Sequence, residues 1–331
     1  MSDPQPSTEA GRAPEPDAGQ QVHAGPAPTG VLPGRRALRK AETERRSLFR
    51  RRSSSAEAQQ ASRAGRNLPA AIGVGLALLI SVLVGMLFLP IAFVALATMF
   101  GVVGVWEVAR ALEVRHISVP LVPAVAAAVA MPFAAYLGGP EALSYAVVVS
   151  VTALVLWRCL DPAPDVARSA MAGTFVLLWI PFLLSFAMLL LHEPSGSLKV
   201  ATLLLLVVAN DTFGYLIGAF FGKHPMAPRI SPKKSWEGFA GSVGGAMLIG
   251  VLAVVFLLER PWWVGILLAV GVVAAATAGD LAESMIKREL GVKDMSSILP
   301  GHGGVMDRLD SIVFASPVAF LLSVTLVPGP L

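Results

Sequence analysis

The chain has 331 residues, 55% of them hydrophobic and only 15% charged, with a formal net charge of +4. Soluble globular proteins carry about 25% charged residues, so this composition argues against soluble domains. From 68 to 328 the sequence is a succession of apolar runs of about 18–24 residues, a length that spans a hydrocarbon core of about 30 Å. We therefore predict a polytopic membrane protein. The single cysteine, Cys159, excludes an internal disulfide.

The segment before the first apolar run, residues 1–67, has two parts. Residues 1–34 are rich in Pro, Gly, Ala, Ser and Gln, a composition typical of disorder. Residues 35–66 are strongly basic, and they are no signal peptide, because the first apolar run begins only near Leu68. We predict a disordered basic cytoplasmic tail over 1–67. It is either a solvated segment that sets the topology or one that also binds anionic lipid head groups.

The apolar runs predict an all-α polytopic membrane protein with about nine transmembrane helices. Lys and Arg are concentrated in alternate loops, so the positive-inside rule places the N-terminus in the cytoplasm and the C-terminus outside. Only Leu89-Pro90 separates the first two runs. The nine runs are 68–88, 89–109, 119–137, 141–160, 169–191, 199–221, 238–258, 262–282 and 310–328.

The polar loops divide the membrane region into two parts. The loops at 222–237 and 283–309 hold most of the polar residues, and both fall on the cytoplasmic side of the predicted topology. We therefore assign catalysis to residues 192–331. Residues 68–191 lack a comparable cluster, and we expect them to serve as scaffold or lipid contact. Within them, Glu107 and Arg110 lie one helical turn apart, at the spacing of an ion pair.

Asp211 interrupts an apolar run. It lies about 18 Å along the predicted helix from Lys199, close to the middle of the membrane. An ionised carboxylate at that depth needs a cation, a basic partner or water. Two interpretations are open: a structural Asp that is paired or protonated, and a metal or substrate ligand in a cavity. Nearby, Gly214, Gly218 and Gly222 form a stripe of small residues that predicts close helix packing.

A second group of polar residues follows the apolar run at 262–282. Asp280, Glu283, Ser284 and Lys287 are spaced so that they share one helical face. Glu283 and Lys287 fit a surface ion pair. For Asp280, which follows Gly279, we favour a metal ligand, because the small neighbour leaves room for a ligand to approach.

A glycine-rich loop precedes the last predicted helix. Gly291 ends the helix before it, and the loop "PGHGG" at 300–304 contains His302. Free backbone N–H groups in such a loop form a nest for anions. Asp307 and Asp310 then open the last helix, where acidic residues are also ordinary helix caps.

Together, these residues favour one kind of chemistry. Carboxylates without His or Cys suit hard cations such as Mg²⁺. Lysine and arginine side chains and backbone nests suit phosphate. The combination favours Mg²⁺-dependent phosphoryl or nucleotidyl transfer, in which the protein mainly positions groups and neutralises charge.

Two motifs carry a resemblance to a known family. The segment "SMIKRELGVKDMSSILPGHGGVMDRLD" at 284–310 resembles the signature of phosphatidate cytidylyltransferases, or CDP-diacylglycerol synthases. The segment "NDTFGYLIGAFFGKHPMAPRISPKKSWEG" at 210–238 resembles the same family's run that ends in S-P-K-K-T-W-E-G. Ser235 stands where the family usually has Thr, and Gly214 stands where Ala is common. The resemblance is strong over 205–315.

The resemblance implies a reaction and a setting. CTP and phosphatidic acid give CDP-diacylglycerol and pyrophosphate for phospholipid biosynthesis, through attack of the lipid phosphate on the α-phosphorus of CTP. Mg²⁺ is the expected cofactor, with K⁺ or Mg²⁺ as an optional second cation. The resemblance suggests a multi-pass homodimer in the cell inner (plasma) membrane, with its active site facing the cytoplasm and no nucleic-acid partner.

The resemblance also implies roles for particular residues. The expected catalytic residues are Asp211, Asp280, Asp307 and Lys234. The expected metal ligands are Asp211, Asp280, Asp307 and Asp310. The residues expected to bind CTP, phosphate or the lipid head group are Ser231, Lys233, Lys234, Lys287, Arg288, His302, Gly303, Gly304 and Arg308.

Two alternatives of other classes stay open. A CTP-dependent enzyme similar to polyprenol kinases would transfer the γ-phosphate and not the cytidylyl group. A membrane transporter with an intramembrane Asp would move its substrate across liposomes without turning over CTP.

Overall fold

The computed structural model describes residues 80–82, 84–86, 88–161, 165–296, 298 and 303–327. The predicted tail over 1–67 and most of the predicted span at 68–88 lie outside these residues, as does His302. From 80 to 88, every described residue is helical.

The rest of the described chain consists of helices and one small β-hairpin. In chain order, the elements are α1 (Pro90–Glu113), α2 (Leu121–Leu160), α3 (Val166–Leu177), a π-helical turn (Leu178–Phe182), α4 (Leu183–His192), α5 (Gly196–Phe221), β1 (Pro225–Ala227), β2 (Ser231–Ser235), α6 (Trp236–Leu257), α7 (Trp262–Leu290) and α8 (Met306–Leu326).

Seven helical segments of the described chain are long and apolar enough to cross a membrane. They are α1, α2, the continuous helix from Val166 to His192, and α5 to α8. This agrees with a mainly helical, multi-pass membrane protein. The predicted number of nine is not established, because the first predicted span lies mostly outside the described residues and the runs at 119–137 and 141–160 form the single helix α2.

Helix α2 has an interruption between the two predicted runs that it contains. Its 40 residues include Gly139, whose φ of 67° and ψ of −157° are not helical. Glycine adopts such angles without a steric penalty, and the following Pro140 has no N–H to donate to the preceding turn. The sequence therefore changes the direction of the chain at the position that separates the two runs.

The loop at 222–237 contains structure that the sequence analysis does not predict. Strands β1 and β2 pair antiparallel, with Ala227 opposite Ser231. Arg288 Nε at the end of α7 donates to the carbonyl of Ile230, 3.2 Å away, and so ties the hairpin to that helix. Glu237 accepts hydrogen bonds from the backbone N–H groups of Lys223 and His224. These contacts hold β2 and the start of α6 against the end of α5.

Close helix packing brings α5, α6 and α7 together. The predicted glycine stripe on α5 faces α6: a Cβ at Gly214 would lie 2.4 Å from Ser242 Oγ, and one at Gly222 would lie 2.7 Å from Ser235 Oγ. Helices α6 and α7 approach equally closely, since a Cβ at Gly265 would lie 2.5 Å from the carbonyl oxygen of Gly250. The small-residue prediction for α5 is thus confirmed, and the three helices meet along their backbones.

We predict that Gly265→Ala destabilises the protein by about 1–3 kcal/mol, because the new methyl group meets backbone atoms that cannot rotate away. The matched control is Gly244→Ala on α6, where a Cβ has nothing within 4 Å. This change should be neutral or stabilise by up to about 1 kcal/mol, since alanine favours a helix over glycine. Thermal unfolding in detergent measures both variants, and equal melting temperatures contradict the packing argument.

Candidate active site

A cavity of about 260 Å³ lies among α5, the hairpin, α6 and α7, and we call it the polar cavity. Two carboxylates, Asp211 and Asp280, and two ammonium groups, Lys233 and Lys234, line it. These four predicted site residues come from three separate elements. The other lining residues are Asn210, Gly214, Tyr215, Gly218, Met226, Ser235, Gly238, Phe239, Ser242 and Thr277.

An ion pair stands at the centre of the charged lining. Lys234 Nζ contacts Asp280 Oδ2, and about 30% of each side chain stays exposed. Asp211 accepts a hydrogen bond from Asn210 Nδ2 at 2.9 Å. The charges of Asp280 and Lys234 act on Asp211. The polar cavity therefore offers both acceptors for a cation and donors for an anion, and all of them are accessible.

Hydroxyl groups hold the wall of the polar cavity. Ser235 Oγ accepts a hydrogen bond from the N–H of Gly238 at 3.1 Å and so caps the N-terminus of α6. Ser242 Oγ donates to the carbonyl of Asn210 at 2.6 Å. Ser235 is thus the N-cap residue of α6. A serine or threonine is the residue type that this position needs.

A buried acidic cluster lies beside the polar cavity, and it consists of Glu283, Asp307 and Asp310. Lys287 Nζ stands 2.7 Å from Glu283 Oε2 and 2.8 Å from Asp307 Oδ1. The predicted Glu283–Lys287 pair exists, but it is no surface pair, because Glu283 is fully buried. Two carboxylates already balance the charge of Lys287, so its predicted contact with phosphate competes with them.

Asp307 anchors the glycine loop. Its Oδ2 accepts hydrogen bonds from the N–H of Gly304 at 2.8 Å and from the N–H of Met295 at 3.1 Å. Gly303, with φ of 80°, makes the turn that allows this contact. Asp307 lies in the first turn of α8, but its side chain bonds these loop N–H groups and caps no N–H group of the helix. The predicted metal role of Asp307 stays a prediction.

One oxygen of the acidic cluster lacks a donor. Glu283 Oε1 is buried and has no hydrogen-bond partner within the described ranges. The charge of Asp310 acts on Glu283, and the charge of Asp280 acts on Asp310. Carboxyl groups that repel one another are stabilised by a shared proton or by a cation. Carboxylate oxygens are the type of donor that a hard cation prefers.

In the part of the chain that the structure describes, no group of three or more His, Cys, Asp or Glu side chains is placed to hold a metal ion. Mg²⁺ does not need such a group. It usually keeps several waters and binds one or two carboxylates together with the phosphates of a substrate. Asp211 and Asp280 in the polar cavity meet that requirement.

Three further predicted site residues are described by the structure and do not line the polar cavity. Ser231 begins β2 and pairs with Ala227. Arg288 binds the hairpin carbonyl of Ile230. Arg308 is exposed, and its charge also acts on Asp211. His302 lies outside the described residues.

The sequence profile of the Cytidylyltransferase family matches residues 69–326, most of the chain. This chain belongs to that family. A phosphatidate cytidylyltransferase of Mycobacterium leprae is 39% identical over 285 residues, which cover 80% of this chain and 90% of that protein. The enzyme of the same name from Mycobacterium tuberculosis (strain H37Rv) is 37% identical over 284 residues, covering 82% and 86%. One from Haemophilus influenzae is 44% identical over 135 residues, covering 38% and 46%.

Glu107 is a residue of this cytidylyltransferase whose role the sequence analysis missed. It is fully buried on α1. Its Oε1 accepts from the N–H of Val305 at 2.9 Å and from Ser296 Oγ, and its Oε2 accepts from the N–H of Met306 at 2.7 Å. Val305 is the N-cap residue of α8 and has no side chain that can cap. Glu107 therefore supplies the cap from another helix.

The neighbouring Arg110 does not explain why the carboxylate of Glu107 is buried. Arg110 lies over the ring of Trp106, 5.4 Å from its centroid. The signal that points to Glu107 is an acidic residue inside an apolar run, which in a membrane protein indicates an internal partner. The sequence does not reveal that this partner is the backbone of α8.

We predict that Glu107→Ala destabilises this cytidylyltransferase by about 2–4 kcal/mol, because it leaves two backbone N–H groups buried without an acceptor. Amide hydrogen exchange at Val305 and Met306 should accelerate. The control is Glu113→Ala, which removes an exposed carboxylate from the same helix and should change stability by less than about 0.5 kcal/mol. Equal exchange rates in the two variants would refute the cap.

Proposed function

We propose that the chain transfers the cytidylyl group of CTP to phosphatidic acid, giving CDP-diacylglycerol and pyrophosphate. The observation that carries the proposal is the polar cavity, where "NDTFGYLIGAFFGKHPMAPRISPKKSWEG" supplies Asp211, Lys233 and Lys234 and α7 supplies Asp280. The names of the relatives support it, since each is a phosphatidate cytidylyltransferase.

The proposed reaction is a displacement at phosphorus. An oxygen of the lipid phosphate forms a bond to the α-phosphorus of CTP, and the bond from that phosphorus to the bridging oxygen of pyrophosphate breaks. Lys233 and Lys234 bind phosphate oxygens and stabilise the negative charge that develops on them. No general base is required, because a phosphate nucleophile is already ionised near neutral pH.

We propose Mg²⁺ as the cofactor. When bound, Mg²⁺ neutralises the triphosphate and polarises its oxygens. Asp211 and Asp280 are the residues we expect to hold it, and the pair formed by Glu283 and Asp310 fits a second cation, K⁺ or Mg²⁺. Lys234 also contacts Asp280. This lysine is therefore close enough to the expected metal ligands to bind a phosphate oxygen beside them.

The proposed setting is the cell inner (plasma) membrane, with nine spans, the N-terminus in the cytoplasm and the C-terminus outside. Helix α2 supports the count, since the non-helical Gly139 divides its 40 residues into two parts, each about as long as a hydrocarbon core is thick. In this topology the hairpin and the glycine loop face the cytoplasm, where CTP is found. We propose residues 192–331 as the catalytic region, 68–191 as its scaffold, and a homodimer as the assembly.

One experiment with labelled CTP decides the function. The purified protein is incubated with phosphatidic acid, Mg²⁺ and CTP labelled either at the α-phosphorus or at the γ-phosphorus. Our proposal predicts label in chloroform-extractable lipid from the α position only, and none without Mg²⁺. Label from the γ position indicates a kinase. Transport into liposomes without CTP turnover indicates a transporter.

We predict that Asp280→Asn lowers cytidylyl transfer by at least about a hundredfold, because a lost carboxylate–cation contact removes several kcal/mol of charge stabilisation. The fold should survive, since a partly exposed ion pair contributes about 0–1 kcal/mol to stability. Glu289→Gln, an exposed position on the same helix, is the matched control for charge. Turnover of Asp280→Asn close to that of the control excludes the metal role.

For Lys234→Gln we expect a higher KM for CTP or for phosphatidic acid and an almost unchanged melting temperature. The ammonium group pairs with one part-exposed carboxylate, so its loss costs about 1 kcal/mol or less in stability. Its loss from a phosphate contact costs about 1.5–3 kcal/mol, equal to a rise in KM of about ten- to a hundredfold. Unchanged KM values for both substrates count against a phosphate contact at Lys234.

A further inference from the structure

A second cavity, of about 160 Å³, lies among α1, α4, α5 and α8, and we call it the apolar cavity. Phe93, Ala97 and Phe100 of α1 form one wall, and Leu203 of α5 faces them. Arg308 is the one charged residue among the lining residues that the structure describes. Nothing in the reaction described above uses this space.

The apolar cavity is elongated along the helices. Its wall on α1 runs from Phe93 to Phe100, and its wall on α8 runs from Val305 to Ile312. Each wall covers seven residue steps, or about 10 Å. Val305 and Arg308 belong to the start of α8, next to the glycine loop. Arg308 therefore stands toward the end of the apolar cavity that lies nearer the candidate active site.

Arg308 stands at one end of the apolar cavity. Its side chain lines the cavity almost only with carbon atoms and is otherwise exposed. An arginine placed in this way is complementary to a molecule with an anionic head and a hydrocarbon tail, because its guanidinium group binds phosphate beside the apolar space. Phosphatidic acid has this chemistry.

We propose that the apolar cavity receives one acyl chain of phosphatidic acid, with the lipid phosphate at Arg308. This inference rests on the proposed function, because it assigns the lipid substrate of that reaction to a place. The cavity is similar in size to an engineered apolar cavity of about 150 Å³ that stays dry and binds benzene. It therefore takes a segment of the chain and not its whole length.

The apolar cavity orients the lipid more than it attracts it. A lipid tail in a bilayer is already in a surrounding as apolar as leucine side chains, so moving it into the cavity gains little hydrophobic free energy. The benefit is a fixed position for the phosphate relative to CTP, and a displacement of about 1 Å in such a site costs about a hundredfold in rate. Filling the cavity should therefore lower the turnover of long-chain substrates.

The test compares two phenylalanine variants on α1. Ala97→Phe fills the apolar cavity, and Ala95→Phe adds the same side chain to an exposed position two residues away. Each variant is assayed with dioleoyl and with dibutyryl phosphatidic acid in mixed micelles. For Ala97→Phe we expect the ratio of dioleoyl to dibutyryl turnover to fall at least about tenfold. The KM for CTP should not change, and Ala95→Phe should keep the wild-type ratio.

A second measurement does not depend on turnover. Phosphatidic acid with a diazirine in the middle of one acyl chain is photolysed with the wild-type protein, and labelled peptides are identified by mass spectrometry. We expect labels on the α1 and α5 residues that line the apolar cavity. Dioleoyl phosphatidic acid should compete with the probe, dioleoyl phosphatidylcholine should not, and Ala97→Phe should remove the labels.

The outcomes separate this inference from the proposed function. Cytidylyl transfer with an unchanged chain-length ratio in Ala97→Phe and no label in the apolar cavity overturns the inference and leaves the function intact. Competable label in the apolar cavity without cytidylyl transfer supports the lipid site and overturns the function. If phosphatidylcholine competes with the probe as well as phosphatidic acid does, the apolar cavity contacts lipids in general, and the inference is also overturned.

Discussion

A carboxylate inside a membrane needs a donor or a cation, and this constraint organises the candidate active site. Glu107 meets it with the backbone N–H groups of Val305 and Met306. Asp307 meets it with Lys287 and the N–H of Gly304. Each of these contacts stabilises a carboxylate and also holds backbone atoms in place. Gly304 and the start of α8 are thus held by acidic residues that bind backbone N–H groups.

The remaining acidic groups meet the constraint only in part. Asp280 has one lysine partner and stays accessible, and Glu283 Oε1 has no donor among the residues that the structure describes. Such incomplete pairing costs free energy in a protein that binds nothing. It is expected in one that binds cations and phosphates, because the missing partners arrive with the substrate. Carboxylates whose hydrogen bonds are complete support the structure. Those with incomplete partners are the candidates for binding substrate or a cation.

Much of this arrangement was predictable from the sequence. Apolar runs predict the long helices, and the glycine spacing on α5 predicts its approach to α6, because both depend on local periodicity. The family resemblance over 205–315 predicts that Asp211, Lys233, Lys234 and Asp280 belong to one site. The hairpin between α5 and α6 was not predicted, since its short strands have no clear alternation. The partner of Glu107 was not predictable either. It is a backbone segment, and the residue types in a sequence do not show which backbone N–H groups lie near a carboxylate.

The cap on α8 also has a consequence for biogenesis. Glu107 and Val305 are separated by 198 positions in the chain. A ribosome synthesises the chain from its N-terminus. Glu107 therefore reaches the bilayer long before the backbone N–H groups of Val305 and Met306, which donate hydrogen bonds to it. Until α8 is inserted, Glu107 lacks these two backbone donors. The contact between α1 and α8 therefore forms late, and a chain that stops short of α8 leaves the Glu107 carboxylate without it.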